Sequence, residues 1–157
     1  MSTSETKQLD EFARMWILNR SLTLAKSINA TTMDAIRKVL AEGFEAGESM
    51  PQLSKRIEGY FTENAKYRSE MISRTEVVAA SNRGAIDRYA KEGIEQKEWF
   101  AAMDERTRDT HLAANGQIVG INEDFKVGAD SMPGPGQGSD PAENVNCRCV
   151  VLAVLPD

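Results

Sequence analysis

Cysteine and histidine are scarce in this chain: its 157 residues include two cysteines and one histidine. Two cysteines cannot build the disulfide framework of a small secreted domain, and here they sit one residue apart, as Cys147 and Cys149. A basic surplus is also missing. The formal net charge is −5, which argues against a stand-alone nucleic-acid binder, because such proteins carry positive charge to neutralise phosphates. No apolar run approaches the roughly 20 residues that a membrane span needs. The opening MSTSETKQLDEFAR lacks a basic stretch followed by an apolar one, so it does not read as a secretory signal. The motifs G-x-x-x-x-G-K-[ST] and G-x-S-x-G are absent, which removes a phosphate loop and a serine nucleophile elbow. Together these absences predict a chain made in the cytoplasm with no membrane partner. In that compartment a metal-bound or reduced thiol gains weight over a disulfide.

The residues that are present predict an α+β fold. Hydrophobic residues make up 41% and charged residues 27%, ordinary values for one globular domain or a small domain with a helical arm. Leu9, Phe12, Trp16, Asn19 and Leu22 recur at helical spacing, with Ile17, Leu24 and Ile28 widening the face. A second helix is expected after Asn29, with Thr31 as its cap and Met33, Ile36, Val39 and Leu40 inward. "ESMPQLSKRIEGYF" opens a third, with Ser49 as cap and Pro51 in the first turn. The longest runs from about Asn64 to Tyr89, with Ile72, Thr75, Ala79, Asn82, Ile86 and Tyr89 on one stripe. Small residues around Ala79 and Ala80 leave room for another element to pack close. Past Gly93, "QKEWFAAM" reads as a strand, "DERTRDTHLAAN" as a short helix, and "GQIVGI" and "FKV" as short strands. "GADSMPGPGQGSDPAENVN" reads as a Gly/Pro-rich loop and "CRCVVLAVLP" as a buried strand. The layout is an N-terminal helical region with one long helix, then a small mixed lobe.

The chemistry concentrates at the cysteines. On a strand, residues two apart face the same way with Cα atoms about 6.5–7 Å apart, at the limit for a relaxed disulfide. The same spacing lets two thiolates converge on one tetrahedral ion at about 2.3 Å each. His111 is the third candidate ligand, and Asp104, water or another group the fourth. Were Asp104 and His111 on one helix, they would lie about 10 Å apart, so Asp104 would have to swing back from before the helix. Core cysteines and a redox pair are the competing readings. Arg74 and Glu76 in "SRTE", together with Arg83, read as ties between the long helix and the mixed lobe, or as groups positioning a partner. Asn82 on the apolar stripe is expected to bond a buried backbone group, and Trp99 to be core. Arg106 and Arg108 read as a solvated face or ion-pair partners.

Across about residues 68–155, "ISRTEVVAASNRGAIDRYAKEG", "KEWFAAMDERTRDTHLAANGQIV", a Phe strand, a Pro-rich loop and "NCRCVV" follow one another. This ordered set resembles the Mu F-like minor head protein family of tailed phages, also called head-morphogenesis proteins. The resemblance implies a non-enzymatic minor capsid component of a phage or prophage virion, associated with the portal vertex and needed for head assembly or for handling packaged DNA. It implies the portal protein or major capsid protein as partner, with packaged DNA and self-association as further partners. It also strengthens a structural zinc held by His111, Cys147, Cys149 and Asp104, since the family pattern pairs the same residue types. Residues 66–157 would be the head-morphogenesis domain and 1–65 a helical assembly arm, so the chain reads as a short member or a C-terminal portion. Two rivals stand beside it. A Cys- or metal-dependent hydrolase or transferase lobe of a toxin-like relative needs an open site at Cys149 and His111. A DNA-binding virion protein needs Arg74, Arg83, Arg106 and Arg108 on one exposed face.

Overall fold

A computed structural model describes residues 11–18, 30–61 and 65–156. Residues 11–18 form helix α1. Three helices follow, α2 (Ala30–Glu45), α3 (Met50–Glu58) and the 27-residue α4 (Ala65–Lys91). The second half runs β1 (Gln96–Phe100), α5 (Asp109–Ala114), β2 (Ile118–Gly120), β3 (Phe125–Val127), β4 (Asp130–Met132), α6 (Pro141–Asn144) and β5 (Val150–Val154). The fold is α+β. No helix among the described residues is long and apolar enough to cross a membrane.

The helical half forms because its apolar residues recur at three- and four-residue steps. Ala13 and Ile17 of α1, Ile36 and Leu40 of α2, and Leu53 and Ile57 of α3 close around Ile72 and Ala80 of α4. At the start of α3 the Ser49 backbone N–H donates to Gln52 Oε1 at 2.8 Å, satisfying a donor that the helix leaves open. Leu9, Asn19, Leu22, Leu24 and Ile28 lie outside the described residues. α2 begins at Ala30, so Thr31 falls inside the first turn and not ahead of it as a cap.

α4 spans about 40 Å at 1.5 Å per residue and serves both halves. Its far end carries Ile86 into a second core with Trp99, Ala101, Ala114, Phe125, Val127, Met132, Cys147, Cys149 and Val151. β1 is the middle strand of an antiparallel sheet ordered β2-β1-β5, with Trp99 opposite Val151 and Phe100 opposite Val150. Alternation turns Lys97 and Trp99 inward and Gln96 and Phe100 outward. The buried Lys97 donates from Nζ to Pro133 O at 2.7 Å, and burial lowers its pKa. β3 and β4 make a separate hairpin, with Phe125 opposite Met132.

Four further sequence readings need correction. The expected loop at 128–146 contains β4 and α6, whose short polar runs take shape only through pairing and capping. Helix α5 covers only Asp109–Ala114, because the Asp104 carboxylate accepts from the Arg106 N–H at 2.9 Å and fixes a turn there. Cys147 and Cys149 precede β5 and are not part of it. β5 itself is an edge strand with alternating burial, since only β1 pairs with it.

Candidate metal centre

Cys147 and Cys149 are turned inward by a loop anchored on α4. Asn146, just before them, has φ of 58°, a left-handed conformation that asparagine tolerates better than most residues. Its N–H donates to Thr75 Oγ1 at 2.9 Å, and its side-chain oxygen accepts from Arg74 Nη1 at 3.2 Å. Two turns along α4, Asn82 Nδ2 donates to Cys149 O at 3.0 Å and to Pro135 O at 3.3 Å, while Asn82 Oδ1 accepts from the Val151 N–H at 2.9 Å. One side chain therefore ties the cysteine segment and the Pro-rich loop to the long helix. At the same contact Gly136 has φ of 81°, and a Cβ there would sit 2.8 Å from the Ala79 Cβ. Small residues on both sides make that approach feasible.

His111 arrives from α5. Its Nδ1 lies 3.4 Å from Cys149 Sγ and 3.7 Å from Cys147 Sγ. The three donor atoms all fall within 4.8 Å of one another, and the residues are 1%, 2% and 1% exposed for His111, Cys147 and Cys149. An ion with zinc's tetrahedral bond lengths sets its nitrogen and sulfur ligands about 3.6 Å apart, the separation seen here. On the far side of the ring, Nε2 is buried 3.0 Å from Glu143 Oε2 without an aligned hydrogen bond. Thr110 Oγ1 donates to the same Glu143 oxygen at 2.8 Å. A cation on Nδ1 would place the ring proton on Nε2, facing that carboxylate, as carboxylate–histidine–metal arrangements require. Trp99 meets the ring edge-on, with centroids 5.4 Å apart.

The electrostatics favour a cation between the sulfurs. A hydrogen bond from the Cys147 thiol lowers the Cys149 pKa below the ordinary thiol range, helped by His111 and the Ala102 N–H and opposed by burial. The same hydrogen bond, followed by burial, pushes the Cys147 thiol far above the ordinary range. One thiolate forms readily; the second needs a positive ion to replace the shared proton. The Cys149 N–H to Cys147 sulfur and the Ala102 N–H to Cys149 sulfur supply N–H···S contacts that stabilise thiolates. The donor set thus fits zinc, with three protein ligands from a loop and a short helix.

The other sequence candidates divide. Asp104 does not join the cluster: its carboxylate is engaged by both Nη atoms of Arg148, with Nη2 to Oδ1 at 2.7 Å. That pairing holds Asp104 well below the usual carboxylate range and fastens the Arg148 side chain outside the sulfur site. Trp99 is fully buried and Glu76 is buried on α4. Arg83 pairs with Asp87, Nη2 to Oδ1 at 2.8 Å. Arg108 Nη2 donates to Val145 O at 2.5 Å, another tether on the cysteine loop. Arg74, Arg106, Arg108, Asn146 and Arg148 line one cleft. Sequence reasoning missed Glu143, Thr110 and Asn146. Only the Asp140-Pro141 start of α6, where Asp140 Oδ1 accepts from the Ala142 N–H at 2.8 Å, hinted that Glu143 would sit on an ordered turn.

Comparison with known proteins places this arrangement. The chain is 29% identical over 141 residues to minor head protein GP7 of Bacillus phage SPP1, an alignment covering 85% of this chain and 46% of that protein. It is 32% identical over 117 residues to an NAD(+)–arginine ADP-ribosyltransferase of Enterococcus faecalis, covering 72% of this chain and 24% of the transferase. The chain spans less than half the length of these relatives. No solved structure matches it. The family model described as Phage Mu protein F like protein matches residues 34–152, which include the whole second core, the α2–α4 part of the first and all three donors of the cluster. The chain belongs to the Phage Mu protein F like family.

Proposed function

We propose that this chain is a non-enzymatic minor head protein of a phage or prophage virion, in which a structural zinc ion closes the C-terminal lobe. The observation that carries the zinc reading is the buried triad of one imidazole nitrogen and two sulfurs within 4.8 Å. Zinc there would hold the cysteine loop, α5 and the base of β5 together in a lobe whose core is small. The ion supplies cross-linking only. His111, Cys147 and Cys149 hold it, and Glu143 orients the imidazole. Asp104 contributes from outside by fixing Arg148, the residue between the two sulfurs.

Burial of the triad separates this reading from the enzyme alternative. A Cys–His nucleophile pair or a catalytic metal needs substrate within bonding reach, whereas His111, Cys147 and Cys149 are each at most 2% exposed. The segment shared with the ADP-ribosyltransferase is 24% of that protein, which leaves most of its chain to carry the transferase activity. The helical half, with α1–α3 packed on α4, is the part we assign to contacts with the portal or major capsid protein. Mass spectrometry of virions from the phage or prophage that encodes the chain tests the assignment. The chain should copurify with capsids at low copy relative to the major capsid protein. Its absence from purified, DNA-filled heads would overturn the virion reading.

A further inference from the structure

The β2-β1-β5 sheet buries one face in the second core and turns the other to solvent. Phe100, Ile118, Val150 and Leu152 stand on that outer face, 48%, 50%, 42% and 38% exposed. The register sets Val150 beside Phe100, and Ile118 and Leu152 on either side of Glu98. Neighbours so placed on one sheet face are within side-chain reach of each other. Four apolar side chains about half exposed leave about 300 Å² of apolar surface, enough on a single chain to mark a contact site. Towards the end of the sheet the face runs past Val154 into a pocket of about 390 Å³, whose walls include Glu95 and Leu155.

Strand addition is closed off at both edges of this sheet. Along β5 the outward backbone groups are met by α4. Asn82 takes Cys149 O and the Val151 N–H, while Tyr89 Oη donates to Val151 O at 3.5 Å and accepts from the Ala153 N–H. Along β2 the Gly120 N–H donates to Glu123 Oε2 at 2.8 Å, and Gly120 O accepts from the Glu123 N–H at 2.9 Å. A partner strand therefore has at most Ile118 to pair with, too little to extend a ladder. A second copy of the chain is also a poor match. No lysine or arginine stands at an outward position of the three strands, so a face-to-face pair would leave each Glu98 against apolar or acidic surface. The apolar area also falls well short of the roughly 800 Å² per partner of a stable interface. The carboxylates of Glu95 and Glu98 make no hydrogen bond or ion pair with another described residue. The face thus combines apolar surface with acidic groups that have no cation of their own.

We propose that the outer face of this sheet docks an amphipathic helix of a partner protein, its apolar stripe on Phe100, Ile118, Val150 and Leu152 and a lysine or arginine at Glu98. A helix satisfies its own backbone, so it needs no open sheet edge, and its apolar stripe can cover a sheet face. Lysine and arginine suit a carboxylate set among apolar side chains, because their stems lie on apolar surface while the charged head reaches the acid. The proposal does not depend on zinc or on virion incorporation, and it uses a surface separate from the helical half, so each can fail without the other.

The test is fluorescence anisotropy of the full chain with a labelled leucine–lysine peptide of about 18 residues patterned as an amphipathic helix, against its leucine–glutamate counterpart. The leucine–lysine peptide should bind and the leucine–glutamate peptide should not. Phe100→Ser should weaken binding about tenfold, with circular dichroism unchanged. Glu98→Lys should weaken the leucine–lysine peptide about fivefold and admit the leucine–glutamate one, an exchange of preference that a merely destabilised fold would not produce. Glu58→Lys, on α3, should bind as the parent does. The proposal is overturned if the parent binds neither peptide or both alike, or if Phe100→Ser and Glu98→Lys behave as the parent. A parent that dimerises in sedimentation and loses its dimer in Phe100→Ser would also overturn it, by making the occupant a second copy. Binding of phosphatidylcholine vesicles that Phe100→Ser abolishes would do the same, by making the occupant a lipid surface.

Discussion

Replacing Asn82 with alanine removes three buried hydrogen bonds at once. The side chain donates to Cys149 O and Pro135 O and accepts from the Val151 N–H, over distances of 3.0, 3.3 and 2.9 Å. Truncation leaves two carbonyls and one N–H buried, each costing about 1–3 kcal/mol when it has no partner. The 3.3 Å bond is the weakest, and a water entering the vacated space would recover part of the loss. We therefore expect a destabilisation of about 3–5 kcal/mol, a large share of the 5–15 kcal/mol typical of a whole domain. Urea unfolding followed by tryptophan fluorescence reports it directly, because Trp99 sits in the affected core. The midpoint should drop with the m-value unchanged. A loss below about 1 kcal/mol would refute the reasoning, since it would mean that neither strand nor loop depends on the α4 anchor.

Gly136→Ala should destabilise by about 1–3 kcal/mol in a thermal melt, because the residue has positive φ and its new methyl would meet Ala79 at 2.8 Å. Glu143→Gln should weaken metal binding by about 10- to 100-fold in a chelator competition, because the imidazole loses its carboxylate partner while the ligands remain. The Asp104 carboxyl should titrate below its ordinary value of 3.8 in the folded chain, chiefly because of its hydrogen bond from Arg148. Its stabilising contribution is therefore present above that value and lost as pH falls through the depressed one. Carbon-detected NMR should show Arg148→Gln moving the titration back towards 3.8.

Legibility in the sequence followed the range of the interactions that decide each element. The helices showed themselves because burial repeats at their own period, and the α4 stripe of Ile72, Thr75, Ala79, Asn82 and Ile86 is buried throughout. Asn82 stood out as a polar residue on that stripe, and it does bond buried backbone. The meeting of His111 with Cys147 and Cys149 was inferred from chemistry, since these are the chain's soft donors. Their location before β5 was hidden, because a β-branched run gives no sign of where pairing with β1 starts. β4 and α6 were hidden as well. Asp130 accepts from the Asp140 N–H at 2.9 Å and from Ser139 Oγ at 2.9 Å, and Asn144 bonds Gly138 in both directions, so this segment is shaped by contacts inside what reads as an irregular loop. The destination of Asp104 also depended on a distant partner, Arg148, 44 residues away.

The zinc clip is tested most directly by elemental analysis of the chain purified without chelator, alongside Cys147→Ser, His111→Ala and Asp104→Ala. The account predicts stoichiometric zinc in the parent and in Asp104→Ala, and its loss from both ligand variants. A parent chain that is fully folded and free of metal would contradict it.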